Sequence, residues 1–180
     1  MKILAIPASL SVNGINRQLV SYAAKLITDG LVPSAEVEIV DLNDYEMSIY
    51  SQEREAQGGI PEQARQLYEK IGAADAVVIS FAEHNGLYTA AWKNTFDWMS
   101  RVNAAVYQGK PMVMFATSPG PKGGGSVLAS AVTSVPYFGA ELVGHLSIPS
   151  FGENFDAGSG EIVNSDINAE FTKVLGTLVS

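Results

Sequence analysis

The sequence predicts an α/β domain: a three-layer sandwich with a five-stranded parallel sheet between two layers of helices. Three observations predict it. Five short apolar runs, mostly rich in β-branched residues, punctuate the chain. The segments between them place apolar residues at helical spacing. The length, 180 residues, suits a single domain spanning 1–180 that can bury most of its apolar surface.

The strand runs are Lys2 to Pro7, Val37 to Asp41, Ala76 to Phe81, Met112 to Thr117, and Leu142 to Ile148. The first helical face is Ile15, Leu19, Tyr22, Ala23 and Leu26. A second, Ala64, Leu67, Tyr68 and Ile71, opens at Pro61, whose fixed φ suits a first helical position. The third comprises Ala91, Trp92, Thr95, Trp98, Met99 and Val102, and the fourth Val127, Leu128, Ala131, Val132 and Val135. A last helix starts near Asn164 or Ser165, either a good N-cap, and uses Ile167, Phe171, Val174 and Leu178. Glu53, Arg54 and Glu55 read as a solvated loop. Lys93, Asp97 and Arg101 read as an ion-pair row on a helix surface.

Strands apolar on both faces and each followed by a helix require a parallel sheet covered on both sides. Right-handed crossovers then favour strand order 2-1-3-4-5. Ligands bind such a sheet beyond the carboxyl ends of its strands, where the chain direction reverses. The loops after strands 1, 3 and 4 therefore carry the function.

Composition narrows the partners. The formal charge is −8 and basic residues are scattered, so the stripe a nucleic-acid surface needs is missing. No apolar stretch is long enough to span a bilayer. There is no cysteine, which removes disulfides, thiolate metal sites and thiol nucleophiles. The short start Met1 to Ile6 lacks the apolar region and cleavage site of a signal peptide, so a cytoplasmic location is expected. In so acidic a chain, a bound phosphate must be held by short-range donors.

The three loops supply such donors. After strand 1, the stretch from Ala8 through Ser9, Ser11, Asn13, Gly14 and Ile15 to Asn16 offers hydroxyls and a helix N-terminus whose N–H groups lack partners. After strand 3 come Ala82, Glu83, His84, Asn85 and Gly86, where the Asn-Gly pair allows a sharp bend. After strand 4 lie Ser118, Gly120, Lys122, Gly123, Gly124 and Gly125, a run entropically costly to order and suited to close approach by a flat ligand.

These residues resemble the NAD(P)H-dependent FMN reductases, a flavodoxin-like family that includes quinone and azo-dye reductases. Its phosphate loop reads Gly-Ser-Leu-Arg-x-x-Ser-x-Asn, with which Ala8 to Asn16 stands in register, keeping Ser9, Leu10 and Asn16. Its second motif, Pro-Glu-Tyr-Asn-Gly then Leu-Lys-Asn-x-x-Asp-Trp, resembles Ala82 to Gly86 and Trp92 to Trp98. A serine and glycine-rich loop beside the flavin ring resembles Ser118 to Gly125, and Phe138-Gly139-Ala140 also fits.

The resemblance implies FMN as cofactor, NADPH or NADH as co-substrate and a small-molecule electron acceptor such as a quinone, azo compound or free flavin. It implies a cofactor site of Ser9, Ser11, Asn13, Gly14, Ile15, Asn16, Glu83, His84, Asn85, Gly86, Ser118, Gly120, Gly123 and Gly124. Backbone N–H groups of Gly123 and Gly124 would stabilise charge at N1 and the C2 oxygen of the flavin, with Lys122 assisting. Those of Asn85 and Gly86 would hold the other edge. No side chain is an obligatory acid or base. Pairing through the helix carrying Trp92 and Trp98 implies a homodimer or homotetramer.

Four departures stand out: Ser11 and Gly14 replace the family's Arg and Ser, and Ala82 and His84 its Pro and Tyr. Losing a charge-assisted hydrogen bond costs about 1.5–3 kcal/mol, roughly ten- to a hundredfold in phosphate affinity. Loose FMN binding is the expectation. Other nucleotide folds fit worse, since Gly-x-Gly-x-x-Gly and Gly-x-x-x-x-Gly-Lys-Ser/Thr are both missing. A flavin-binding electron carrier, or a degenerate binding protein of the same fold, is the alternative.

Overall fold

A computed structural model describes residues 1–179. The chain runs β1 (Lys2–Ala8), α1 (Ile15–Leu26), β2 (Glu36–Ile39), α2 (Gln52–Gly58), α3 (Glu62–Ala73), β3 (Ala76–His84) and β4 (Leu87–Tyr88). It continues α4 (Ala90–Val102), β5 (Pro111–Thr117), α5 (Gly125–Phe138), β6 (Glu141–Ile148), α6 (Phe151–Asn154), β7 (Phe155–Asp156), β8 (Glu161–Ile162) and α7 (Ser165–Gly176).

The long strands are parallel and lie in the order β2-β1-β3-β5-β6, which is the expected 2-1-3-4-5. Nearly all of β1, β3 and β5 is buried, as two-sided apolar runs require. One face packs on α3, α4 and α5 through Leu67, Ile71, Trp92, Met99 and Leu128. The other packs on α1 and α7 through Leu19, Ala23, Phe171 and Leu175. Trp92, Trp98 and Met99 are buried. Ala8, Phe81 and Ala116 are register partners, so β1, β3 and β5 release their loops at one level.

Three sequence expectations need correction. Glu53 to Glu55 form part of α2, started by Ser51, whose Oγ accepts from the Arg54 N–H at 3.2 Å. No residue of α2 is buried, so it has no apolar period to read. Arg101 does not extend the Lys93–Asp97 pair, which closes at 2.7 Å; its Nε instead donates to Glu55 across to α2 at 3.0 Å. The strand ending at Phe81 continues to His84 and folds back through β4, a hairpin the apolar count stops short of. The β7–β8 hairpin, anchored by buried Phe155 and Ile162, was also outside the sequence reading because its strands are two residues long.

Candidate active site at the carboxyl end of the sheet

The loops after β1, β3 and β5 enclose a trough of about 160 Å³, lined by Ser9, Ser11, Gly14, Ile15, Asn16, Glu83, His84 and Ser118 together with Ala82, Thr117 and Pro119. Eight predicted site residues thus meet in one place. The local folding explains how. Ser11 accepts the Gly14 N–H on its carbonyl at 3.0 Å and donates its own N–H to Ser9 Oγ at 3.2 Å. This closes a tight turn that delivers the chain into α1. A Cβ on Gly14 would lie 2.9 Å from the Ser11 Cβ and 3.0 Å from its carbonyl oxygen, so the turn demands glycine. The two departures at 11 and 14 are therefore one local geometry.

The N-terminus of α1 is distinctive. Of the five long helices, α4 and α7 are capped by Thr89 and Asn164, and α3 has Glu62 in its first turn. The N-terminus of α5 is met by Glu83, whose Oε2 accepts from the Val127 N–H at 2.9 Å. Among the described residues, α1 has neither a side-chain cap nor an acidic group in its first turn. Its first N–H groups and the positive end of its dipole are therefore free to receive an anion. The hydroxyls of Ser9 and Ser11 stand beside them. This donor set fits a phosphate, and so fits the phosphate end of FMN. Arg17, the third residue of α1, is engaged with Asp41 at 3.4 Å. Asp41 is held below the usual carboxylate range by hydrogen bonds from Asn43 and by the Arg17 charge.

Other predicted residues stand differently. Asn16 lines the trough but is buried, with Oδ1 accepting from Ser80 Oγ at 2.7 Å and Nδ2 reaching the Thr117 carbonyl at 3.5 Å. Glu83 is committed to α5, as above. Asn13 lies outside the trough, beside Arg17 and Tyr22 in a cleft between α1 and the β7–β8 hairpin. Asn85 and Gly86 form the tip of the β3–β4 hairpin with φ of 55° and 82°, the left-handed pair of a two-residue turn.

Gly123 and Gly124 are buried with φ of 58° and 74°. A Cβ on Gly123 would strike Ser147 Oγ at 2.6 Å and the Ile148 backbone at 2.7 Å; one on Gly124 would meet Ala116 Cβ at 3.1 Å. Packing against the sheet requires glycine at both positions. The Gly123 N–H donates to the Gly120 carbonyl at 3.1 Å, so it is already spent. Lys122 is exposed, and its carbonyl accepts from the Gly125 N–H at 2.9 Å.

Sequence reasoning missed Ser80, Thr89 and Thr117, all buried polar residues. Thr89 Oγ1 donates to the Ala8 carbonyl at 3.0 Å while accepting from the Trp92 N–H at 3.1 Å, which fixes α4 to the end of β1. A single polar residue in an apolar run is their only sequence signal. A separate cavity of about 270 Å³ lies between α4 and α5, walled by Tyr88, Trp92, Phe96, Tyr107 and Phe138.

A doubly wound sheet with an anion-ready helix terminus at its switch point defines a nucleotide-binding α/β protein. The family model for NADPH-dependent FMN reductases matches residues 1–152, and the chain belongs to that family. It is an oxidoreductase that works with FMN and NAD(P)H. A quinone reductase of Escherichia coli K12 is 25% identical over 179 residues, covering 94% of this chain and 93% of that protein. A 2-hydroxy-1,4-benzoquinone reductase of a Burkholderia species is 31% identical over 67% of this chain and 62% of its own. Among solved structures, a flavoenzyme NAD(P)H:(acceptor) oxidoreductase from Paracoccus denitrificans superposes with a TM-score of 0.74 at 22% identity, covering 99% of this chain and 94% of that one. An FMN-dependent NADH-azoreductase from Bacillus anthracis, solved with FMN, gives 0.70 at 12% identity over 99% of each chain.

Proposed function

We propose that the protein passes electrons from NAD(P)H through FMN to a small aromatic acceptor, a quinone or azo compound, and that the trough holds the cofactor's phosphate end. The observation that carries this reading is the N-terminus of α1, left without cap or counter-charge at the point where the three loops meet. Ser9, Ser11 and the N–H groups of Ile15 and Asn16 bind the phosphate by oriented dipoles. The hydride chemistry is supplied by FMN when bound.

The protein's part is orientation. The hairpin tip at Asn85 and Gly86 presents N–H groups to one edge of the ring. The Gly124 N–H, Ser118, Gly120 and the exposed Lys122 serve the other. Gly123 shapes the loop, and Asn16 and Glu83 hold the trough's walls in place. His84, exposed on the trough's rim, and Asn13 beyond it complete the site. Quinone- and azo-reducing relatives support the choice of acceptor. A homodimer or homotetramer is proposed, with exposed Leu87 and Tyr137 beside α4 and α5 as contacts. A cytoplasmic placement is part of the proposal; no helix of the described residues is long and apolar enough to cross a membrane.

The test is NADPH oxidation by FMN-reconstituted protein with a quinone acceptor and a flavin-free control. Flavin-dependent turnover is expected. Bound FMN without turnover would instead make the protein an electron carrier, and no FMN binding would remove the site assignment altogether.

A further inference from the structure

Among the described residues that line the trough, one side chain is able to carry a positive charge: His84. It shares this space of about 160 Å³ with Ser9, Ser11 and the open N-terminus of α1.

The alternation of β3 decides where His84 points. Val77, Ile79 and Phe81 pack on the face covered by α3, α4 and α5, while Ala76 and Val78 pack on the face covered by α1 and α7. Ser80 continues the second set, since its hydroxyl donates to Asn16 on α1 at 2.7 Å. Glu83 continues the first set, since its carboxylate accepts from the Val127 N–H on α5. His84, the last residue of β3, falls in the set of Ala76, Val78 and Ser80. It is exposed, and it stands on the side of the strand that faces α1.

The charges on the neighbouring elements are committed elsewhere. Glu83, the other ionisable residue of the trough, lies in the opposite set and is spent on α5. On α1, Arg17 is turned to Asp41 at 3.4 Å. In the loop after β5, Lys122 is exposed and does not line the trough. The loop after β1 brings only the hydroxyls of Ser9 and Ser11. In a chain of net charge −8, an incoming phosphate meets a repulsive field, and the imidazole is the trough's one side chain that offsets it at short range. An imidazole also donates from a ring N–H in either charge state.

We infer that His84 is the trough's phosphate-selecting residue, its ring N–H donating to the phosphate of FMN seated at the N-terminus of α1. The inference rests on the reading of the trough as the phosphate site. It places the cationic contact at the end of β3, across the trough from the loop that carries Ser11.

The experiment compares FMN with riboflavin, which lacks the phosphate, by flavin-fluorescence quenching on FMN-free protein at low salt. Wild type should bind FMN more tightly than riboflavin. His84→Ala should weaken FMN about three- to tenfold and leave riboflavin unchanged. His84→Lys should recover most of the loss, and high salt should shrink it. In a Ser11→Arg background, His84→Ala should cost no more than about twofold, because two cations serving one phosphate are not additive. The variants should melt with wild type, since His84 is exposed.

Wild type that binds FMN no more tightly than riboflavin takes the phosphate out of the trough, and the reading of the site falls together with the inference. FMN preferred equally by wild type and His84→Ala leaves that reading standing and overturns the inference alone. Equal losses of FMN and riboflavin, with or without a lower melting temperature, give His84 a ring contact or a structural role and overturn it too. So does a cost of His84→Ala that is the same with and without Ser11→Arg.

Discussion

The Ser80 hydroxyl on β3 donates to Asn16 Oδ1 on α1 at 2.7 Å, and the same Asn16 reaches the end of β5 through Thr117. One buried side chain thus fixes the N-terminus of α1 to both central strands, which is what aims its open N–H groups into the trough. Asn16→Ala leaves the Ser80 hydroxyl without a partner in the core. The cost should be about 1–3 kcal/mol. At about 2–4 °C per kcal/mol for a chain of this size, the melting temperature should fall by several degrees in a thermal scan of FMN-free protein. An unchanged melting point would mean the network is not holding the helix.

Gly123 is tested by a matched pair of alanine variants. At φ of 58°, with a Cβ that would lie 2.6 Å from Ser147 Oγ and 2.7 Å from the Ile148 backbone, Gly123→Ala combines left-handed strain with overpacking. The expected loss is about 2–4 kcal/mol. Gly120, in the same loop, has open space where its Cβ would go, so Gly120→Ala should stay within about 0.5 kcal/mol. Equal effects in urea denaturation would show that the loop is held by something other than its contact with β6.

The legible parts of the fold are those whose residues repeat a pattern over several turns or strand positions. Strand order followed from the run of buried apolar segments, and the start of α7 from Asn164 or Ser165, of which Asn164 is the cap. What escaped depends on partners far away in sequence. Glu83 is a motif residue in the chain and a cap for α5 in space, across 44 positions. Ser80, in the middle of β3, looks like an interruption until Asn16 is seen opposite it. Gly123 and Gly124 pack closely on neighbouring strands, a demand on a Cβ that a flat ligand would also make, so the glycine run alone does not separate the two. α2 and the β7–β8 hairpin were too exposed or too short to carry a period.

Asp41 links acid stability to the edge of the site. Its carboxylate accepts from the Asn43 N–H at 3.0 Å and from the side-chain amide at 2.7 Å, and Arg17 adds an attractive charge. These lower its pKa in the folded chain, so the ionised form contributes stability above the unfolded value, near pH 4. That contribution disappears as pH falls through the lower folded value. Asp41→Asn should therefore flatten the acid limb of a denaturant-midpoint profile between about pH 5 and pH 2, with little change in its slope above pH 6. A parallel limb in the variant would place the acid sensitivity elsewhere.

Ser11 offers the sharpest test of the phosphate assignment. The family's guanidinium is missing here, and Arg17, the nearest cation of α1, is turned to Asp41. Ser11→Arg should restore a charge-assisted hydrogen bond and tighten FMN roughly ten- to a hundredfold in a fluorescence-quenching titration. The gain should shrink as salt rises, because the added attraction is partly exposed. Gly14→Ser should not tighten binding, although it too restores a family residue. Its Cβ would press on that of residue 11 at 2.9 Å, whichever side chain residue 11 carries, and so open the turn that aims α1. If Ser11→Arg leaves the affinity unchanged, the phosphate does not sit at this loop, and the N-terminus of α1 must lose its role as the anchor.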